Sequence, residues 1–387
     1  VRRKIHDIPN NIKLSRGARM LLSVLFLVFT SSPTHALGPN DISRLLPLPR
    51  NEAERELMLS PDSQGKGGSL LPLSIFQALP QIVSDRDQEF LYQTALRVVG
   101  IRFDPCFQEK EEPCRRQIRM IWQPVVNESG WTTLDASIHT FYEFSPLVWA
   151  RIFSELTLLP SEGAAHLQVS PQISRESLAG PTWKKLARLV LQFAGEESLI
   201  RATSFSVNPL GNRWFFAGLD IQGTNFKPIK IARLEGAAQA YATQLGTVGQ
   251  VEFRAAMNPA PASDLEFLAL LKDSWRAREN LTLPQLVEAT RSALAIENPR
   301  LTNPGNVDCA SCHVAHVVPT WALRNLQLDW GKTFAREMFR AGPNGVPPLS
   351  EGDANVLRAF GYFRDKAVVS RRVDNETSLI LESFRKP

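Results

Sequence analysis

Leu96-Arg97-Val98-Val99-Gly100-Ile101-Arg102-Phe103 moves towards apolar alternation and is rich in β-branched and aromatic residues, the pattern of a strand. Gln117-Ile118-Arg119-Met120-Ile121-Trp122 repeats that pattern beyond a polar loop holding Cys106 and Cys114. Two such runs around one loop predict a hairpin closed by a Cys106–Cys114 disulfide. On the chain-entropy model, a cross-link over so short a loop contributes ~2–3 kcal/mol. Three more β-like runs follow, Leu199 to Val207, Arg213 to Ile221 and Lys227 to Ala232. Asn208-Pro209-Leu210-Gly211-Asn212 and Gln222-Gly223-Thr224-Asn225 separate them, so an antiparallel meander is expected.

Helices are expected between these strands. Leu134, Ile138 and Phe141 recur at helical spacing, and Ser145-Pro146 supplies an N-cap and first-turn proline for a helix with Trp149, Ile152 and Leu156. Asp135 and His139, four apart on the first of these helices, read as a surface or core contact, because no nucleophile accompanies them. Gly180-Pro181 opens a helix carrying Trp183, Leu186, Leu189, Val190 and Phe193. Residues 37–75, rich in Pro, Gly and Ser, read as a loose arm, and residues 76–260 as an α+β domain. The texture changes at Asn258-Pro259-Ala260-Pro261-Ala262. From 261 to 387 the pattern is helical, with capping boxes at Ser263-Asp264-Leu265-Glu266 and Thr282-Leu283-Pro284-Gln285. A stripe of Leu323, Leu326, Trp330, Phe334 and Met338 follows, with a break at Gly331. A last helix is expected from Ser350, with Leu357, Phe360 and Phe363.

Six of the 44 Lys and Arg and one of the 39 Asp and Glu precede residue 37, leaving 38 of each. The excess of positive charge thus belongs to residues 1–36, and the remainder offers no electrostatic basis for binding nucleic acid. Those 36 residues read as a secretory signal peptide: Arg2, Arg3, Lys4, Lys13, Arg16 and Arg19, an apolar run from Met20 to Phe29, then small residues to Ala36. No later segment is apolar enough to span a bilayer, and the expected location is the bacterial periplasm or another exported compartment. Four cysteines in two local pairs suit an oxidising compartment.

The second pair lies in Cys309-Ala310-Ser311-Cys312-His313, an unbroken C-x-x-C-H. This pentapeptide resembles the haem attachment motif of c-type cytochromes. The resemblance implies one haem c, bound covalently through Cys309 and Cys312, with His313 as proximal iron ligand. Gly345-Val346-Pro347-Pro348-Leu349-Ser350-Glu351 resembles the C-terminal part of small class I cytochromes, but Val346 stands where that family places its ligating methionine. Met338 is the methionine downstream of the motif and is therefore the expected distal ligand. His316, three residues past His313, projects from the same side of a shared helix and so does not reach the opposite haem face. Two other readings of the motif stay open: a Cys309–Cys312 disulfide, and a zinc clasp completed by His316.

The expected fold is therefore α+β, with an N-terminal portion of mixed antiparallel β and helix followed by a helical, cytochrome c-like haem portion. The expected function is monohaem electron transfer to a redox partner protein. The alternatives are a haem enzyme or gas or redox sensor with an open distal site, and a cofactor-free exported binding or structural protein.

Overall fold

The computed structural model describes residues 37–107, 113–162, 166–208, 213–234, 236–242, 244–245, 253–254, 274–315, 317–339 and 360–385. Residues 37–387 form one unit, and the fold is α+β, built on a nine-stranded antiparallel sheet. The expected leader 1–36, His316 and the segments 258–266 and 345–359 lie outside the described residues.

The sheet starts at its edge with β1 (Ser43–Leu45) and continues with β2 (Leu96–Phe107) and β3 (Arg115–Asn127), the expected hairpin. Cys106 and Cys114 are bonded across its end. β4 (Ala136–Phe144) pairs with β3 on one side and with β5 (Leu199–Asn208) on the other. β6 (Arg213–Gln222) follows β5, and its outer edge is shared by β7 (Asn225–Pro228) and β8 (Ala238–Ala242). The antiparallel meander is as expected, except that its third strand ends at Pro228 and does not run from Lys227 to Ala232; Gly223 supplies the positive φ of 59° needed by the turn between β6 and β7.

Alternation along the strands sorts the two faces. Ile118, Met120 and Trp122 of β3 and Ile138, Thr140 and Tyr142 of β4 point to one face and are almost fully buried. Trp122 Nε1 donates to Thr140 Oγ1 at 2.8 Å, so the indole is buried without an orphaned donor. On this face lie α1 (Pro146–Leu156), capped by Ser145, and α2 (Pro181–Phe193), which buries Trp183, Leu186, Leu189, Val190 and Phe193. At roughly 1.5–3 kcal/mol for each large apolar side chain, this face carries most of the stabilisation. The opposite face presents Arg119 and Ile121 from β3, Ser137, His139 and Phe141 from β4, and Thr203 and Phe205 from β5.

Residues 134–141 correct the helical expectation. The spacing of Leu134, Ile138 and Phe141 fits a period of 3.6, yet residues 136–144 form a central strand. Both faces of that strand are covered, so apolar residues occur on each and the alternation that marks a half-exposed strand is lost. Asp135 and His139 therefore do not share a helix.

The loose arm expected at 37–75 is also corrected. β1 joins the sheet, Ile42, Leu45, Leu46, Leu70 and Leu71 are fully buried, and Arg44 is buried in an ion pair with Glu162 at 2.5 Å. Long-range hydrogen bonds fix the segment: Trp183 Nε1 donates to the Leu57 carbonyl and Tyr142 Oη to that of Leu70.

Nor does the chain divide into separate portions at 260. α3 (Leu283–Glu297), opened by Thr282 with Gln285 accepting its N–H at 3.0 Å, packs with α4 (Cys309–Val314) and α5 (Val317–Asn325) against Phe205, Trp214 and Phe216 of the sheet. The strands β9 (Phe360–Phe363) and β10 (Lys366–Val369) and the helix α6 (Arg371–Arg385) return to the first core through Phe360, Tyr362, Val373, Ile380 and Leu381. Phe360 and Phe363 thus lie on a strand, not on the helix expected there. The expected stripe from Leu323 to Met338 is interrupted as well, since α5 ends at Asn325 and the next helical turn spans only Trp330–Thr333.

Candidate functional site

Asp308 and Cys309 start the short helix α4. The Asp308 carboxylate accepts from the Ser311 N–H at 2.9 Å, an N-cap that sets where the helix begins. A second residue ties this helix to the sheet edge. Gln239 of β8 donates through Nε2 to Asp308 Oδ2 at 2.7 Å and accepts from the Ala310 N–H at 2.8 Å, all of it buried. The motif is therefore held on strand β8 by a closed set of hydrogen bonds, with no reliance on its own short helix for position.

From that anchor, Cys309, Cys312 and His313 all line a cavity of about 210 Å³ between α4, α6 and the second face of the sheet. The two cysteines are not bonded to each other. Burial, followed by the neighbouring Cys312 and Asp308, pushes the Cys309 thiol up to about 12, and burial pushes Cys312 up to about 11. Both are therefore protonated thiols. The His313 ring lies against Phe216 and Phe205, with centroids 4.9 and 5.7 Å away.

Apolar and aromatic side chains dominate the lining: Phe107, Ile121, Phe141, Phe205, Phe216 and Phe360 among them. Against this stands a group of cations. Arg372 of α6 donates to Glu376 at 2.6 Å, to the Ile296 carbonyl at 2.7 Å and to Thr302 Oγ1 at 2.8 Å, and Arg102 of β2 also pairs with Glu376. Burial works to raise the Glu376 pKa, but Arg102, Arg372 and Arg119 outweigh it and hold this carboxyl well below the usual range.

Arg119 differs. Its guanidinium lies against the rings of Phe107 and Phe141, 5.0 and 4.6 Å from their centroids, and its Nε is buried without a hydrogen-bond partner. Burial, reinforced by Arg102, brings its pKa down to about 10. Such a cation, facing an apolar cavity, is placed to take an anionic group of a ligand.

His139 projects from mid-β4 into the same cavity. Burial, then the charges of Arg119 and His313, lower its pKa to about 3, so its ring is neutral.

Cys309, Cys312 and His313 thus line one cavity, whereas Met338 is not among its lining residues. It is half-buried after the Trp330–Thr333 turn, its N–H donating to the Phe334 carbonyl at 3.0 Å. Among the described residues no group of three or more His, Cys, Asp or Glu is arranged to hold a metal ion by itself. His139, Arg119 and Gln239 were not legible as site residues, because sheet pairing alone brings them within reach of residues 308–313. No family model, no curated protein and no solved structure matches this chain.

Proposed function

We propose that the chain carries one haem c, joined by thioether bonds to Cys309 and Cys312 with His313 as proximal iron ligand, and that it transfers electrons to a redox partner protein. The observation that carries this reading is the convergence of two unbonded thiols and the adjacent imidazole on one aromatic cavity. The chemistry of the lining, though not the cavity volume of about 210 Å³, suits the group. Its apolar side chains suit a porphyrin, and Arg119, with an unsatisfied Nε, suits a propionate carboxylate. The haem would supply a one-electron iron couple. Of the protein's own residues, Gln239 and Asp308 fix the attachment helix, Phe205 and Phe216 orient His313, and the arginines offset negative charge in an apolar surround. Export to a bacterial periplasm belongs to the same reading. It is supported by the basic and apolar leader and by the Cys106–Cys114 bond.

The experiment is expression in the periplasm with c-type maturation machinery, followed by denaturing electrophoresis with a haem stain and a pyridine haemochrome spectrum. The stained band should survive denaturation and disappear in the Cys309→Ser/Cys312→Ser variant. A correctly folded, exported but unstained polypeptide would remove the haem reading and leave a cofactor-free binding protein.

A further inference from the structure

The iron of a haem attached at Cys309 and Cys312 has a second axial position, and the residues lining the cavity narrow the choice of what fills it. Among the described residues, the lining side chains besides the motif itself with a donor atom suited to iron are His139, Lys230, Asp308 and Glu376. Asp308 is committed to the cap of α4 and to Gln239. Glu376 is committed to Arg102 and Arg372, and Lys230 is exposed at the cavity margin. His139 has no such commitment: no hydrogen bond to its ring occurs among the described residues. Among the described residues no methionine lines the cavity. Met58 and Met120 belong to the core that includes the other face of the sheet, and Met338 is absent from the lining.

Resting on the haem reading above, we propose that His139 is the distal protein ligand of the haem iron, opposite His313. Register supports the placement. His139 pairs with Ile121 of β3 and Thr203 of β5, which makes Phe205 its diagonal neighbour, about 7–8 Å away across the strands. Phe205 is also the residue whose ring centroid lies 5.7 Å from that of His313. The two imidazoles line one cavity, one from a central strand and one from the attachment helix. A ligand on a strand paired on both sides is held rigidly, which suits an iron that changes oxidation state with little reorganisation. Two imidazoles also give a lower reduction potential than imidazole with a thioether.

The haem-loaded protein decides the matter spectroscopically. Near-infrared magnetic circular dichroism and electron paramagnetic resonance of the oxidised, unmodified protein should show a low-spin haem with two nitrogen ligands. In His139→Ala the covalent haem stain should persist while the iron becomes high-spin. Carbon monoxide should then bind the reduced form at least tenfold faster, and added imidazole should restore the low-spin signal. His139→Met should replace the two-nitrogen signature with a sulfur-to-iron band. Should His139→Ala mature poorly, the spectra of the unmodified protein suffice. A sulfur-to-iron band there would assign the position to a methionine, and a five-coordinate high-spin iron would leave it open; either overturns the proposal while the haem reading stands. A protein with no covalent haem overturns both.

Discussion

Arg119 is the residue whose surroundings ask most plainly for a ligand. It packs against Phe107 and Phe141 and has an unsatisfied Nε. In the haem-free Cys309→Ser/Cys312→Ser protein, adding Arg119→Met should leave the urea midpoint unchanged or raise it, since replacing a poorly paired buried charge by an apolar side chain of similar volume is often neutral or stabilising. In the haem-loaded protein the same substitution should lower the midpoint potential, because it removes a positive charge that favours the reduced iron. Spectroelectrochemistry checks this, and an unchanged potential would place the propionates away from Arg119. At this scale the sequence is informative only where chemistry is local. Cys309, Cys312 and His313 stand in five consecutive residues and were legible. His139 and Arg119 reach them from 170 and more positions away through strand pairing, and Gln239 from about 70, so nothing in the sequence links them to the motif.

Among the elements, α6 is fastened to the sheet by charge. Glu376 receives Arg102 from β2 and Arg372 from its own helix, and its carboxyl is held well below the usual range. A carboxyl with a depressed folded pKa binds fewer protons than its unfolded counterpart. Its contribution to stability is therefore complete above the ordinary carboxylate range and is lost as the pH falls through that range towards the folded value. Thermal unfolding followed from pH 7 to pH 3 should show this loss. Glu376→Gln should be destabilised by ~3 kcal/mol at pH 7, because it leaves buried arginines unpaired, and should show a shallower acid slope. The β2–β3 hairpin gives an independent prediction. Cys106→Ser/Cys114→Ser should lower the unfolding free energy by ~2–3 kcal/mol while haem attachment persists. A loss of attachment on denaturing gels would tie the hairpin to the site in a way the structure gives no reason to expect. Legibility also varied between elements. The hairpin, the meander and the capped helices carry their own alternation or caps. β4 was misread because apolar residues on both of its faces mimic helical spacing, and the order of residues 37–75 comes from distant partners such as Glu162, Tyr142 and Trp183.

For the whole molecule, the expected division near residue 260 gives way to shared cores. Gln123 Nε2 donates to the Tyr362 carbonyl at 2.9 Å and Tyr362 Oη to the Leu46 carbonyl at 2.6 Å, so the C-terminal strands complete the N-terminal core. A fragment of residues 37–260 should therefore lack a cooperative thermal transition by circular dichroism, whereas two independent domains would give one. The same interleaving sets residues 309–313 against the sheet: the sheet supplies one wall of the cavity and the C-terminal helices supply another. The most direct measurement is mass analysis of the tryptic peptide Leu301–Arg324 from the exported, matured protein. Covalent attachment predicts that this peptide carries one haem on Cys309 and Cys312 and resists thiol alkylation. Recovery of the peptide without added mass, with both thiols alkylated or joined in a disulfide, would contradict it.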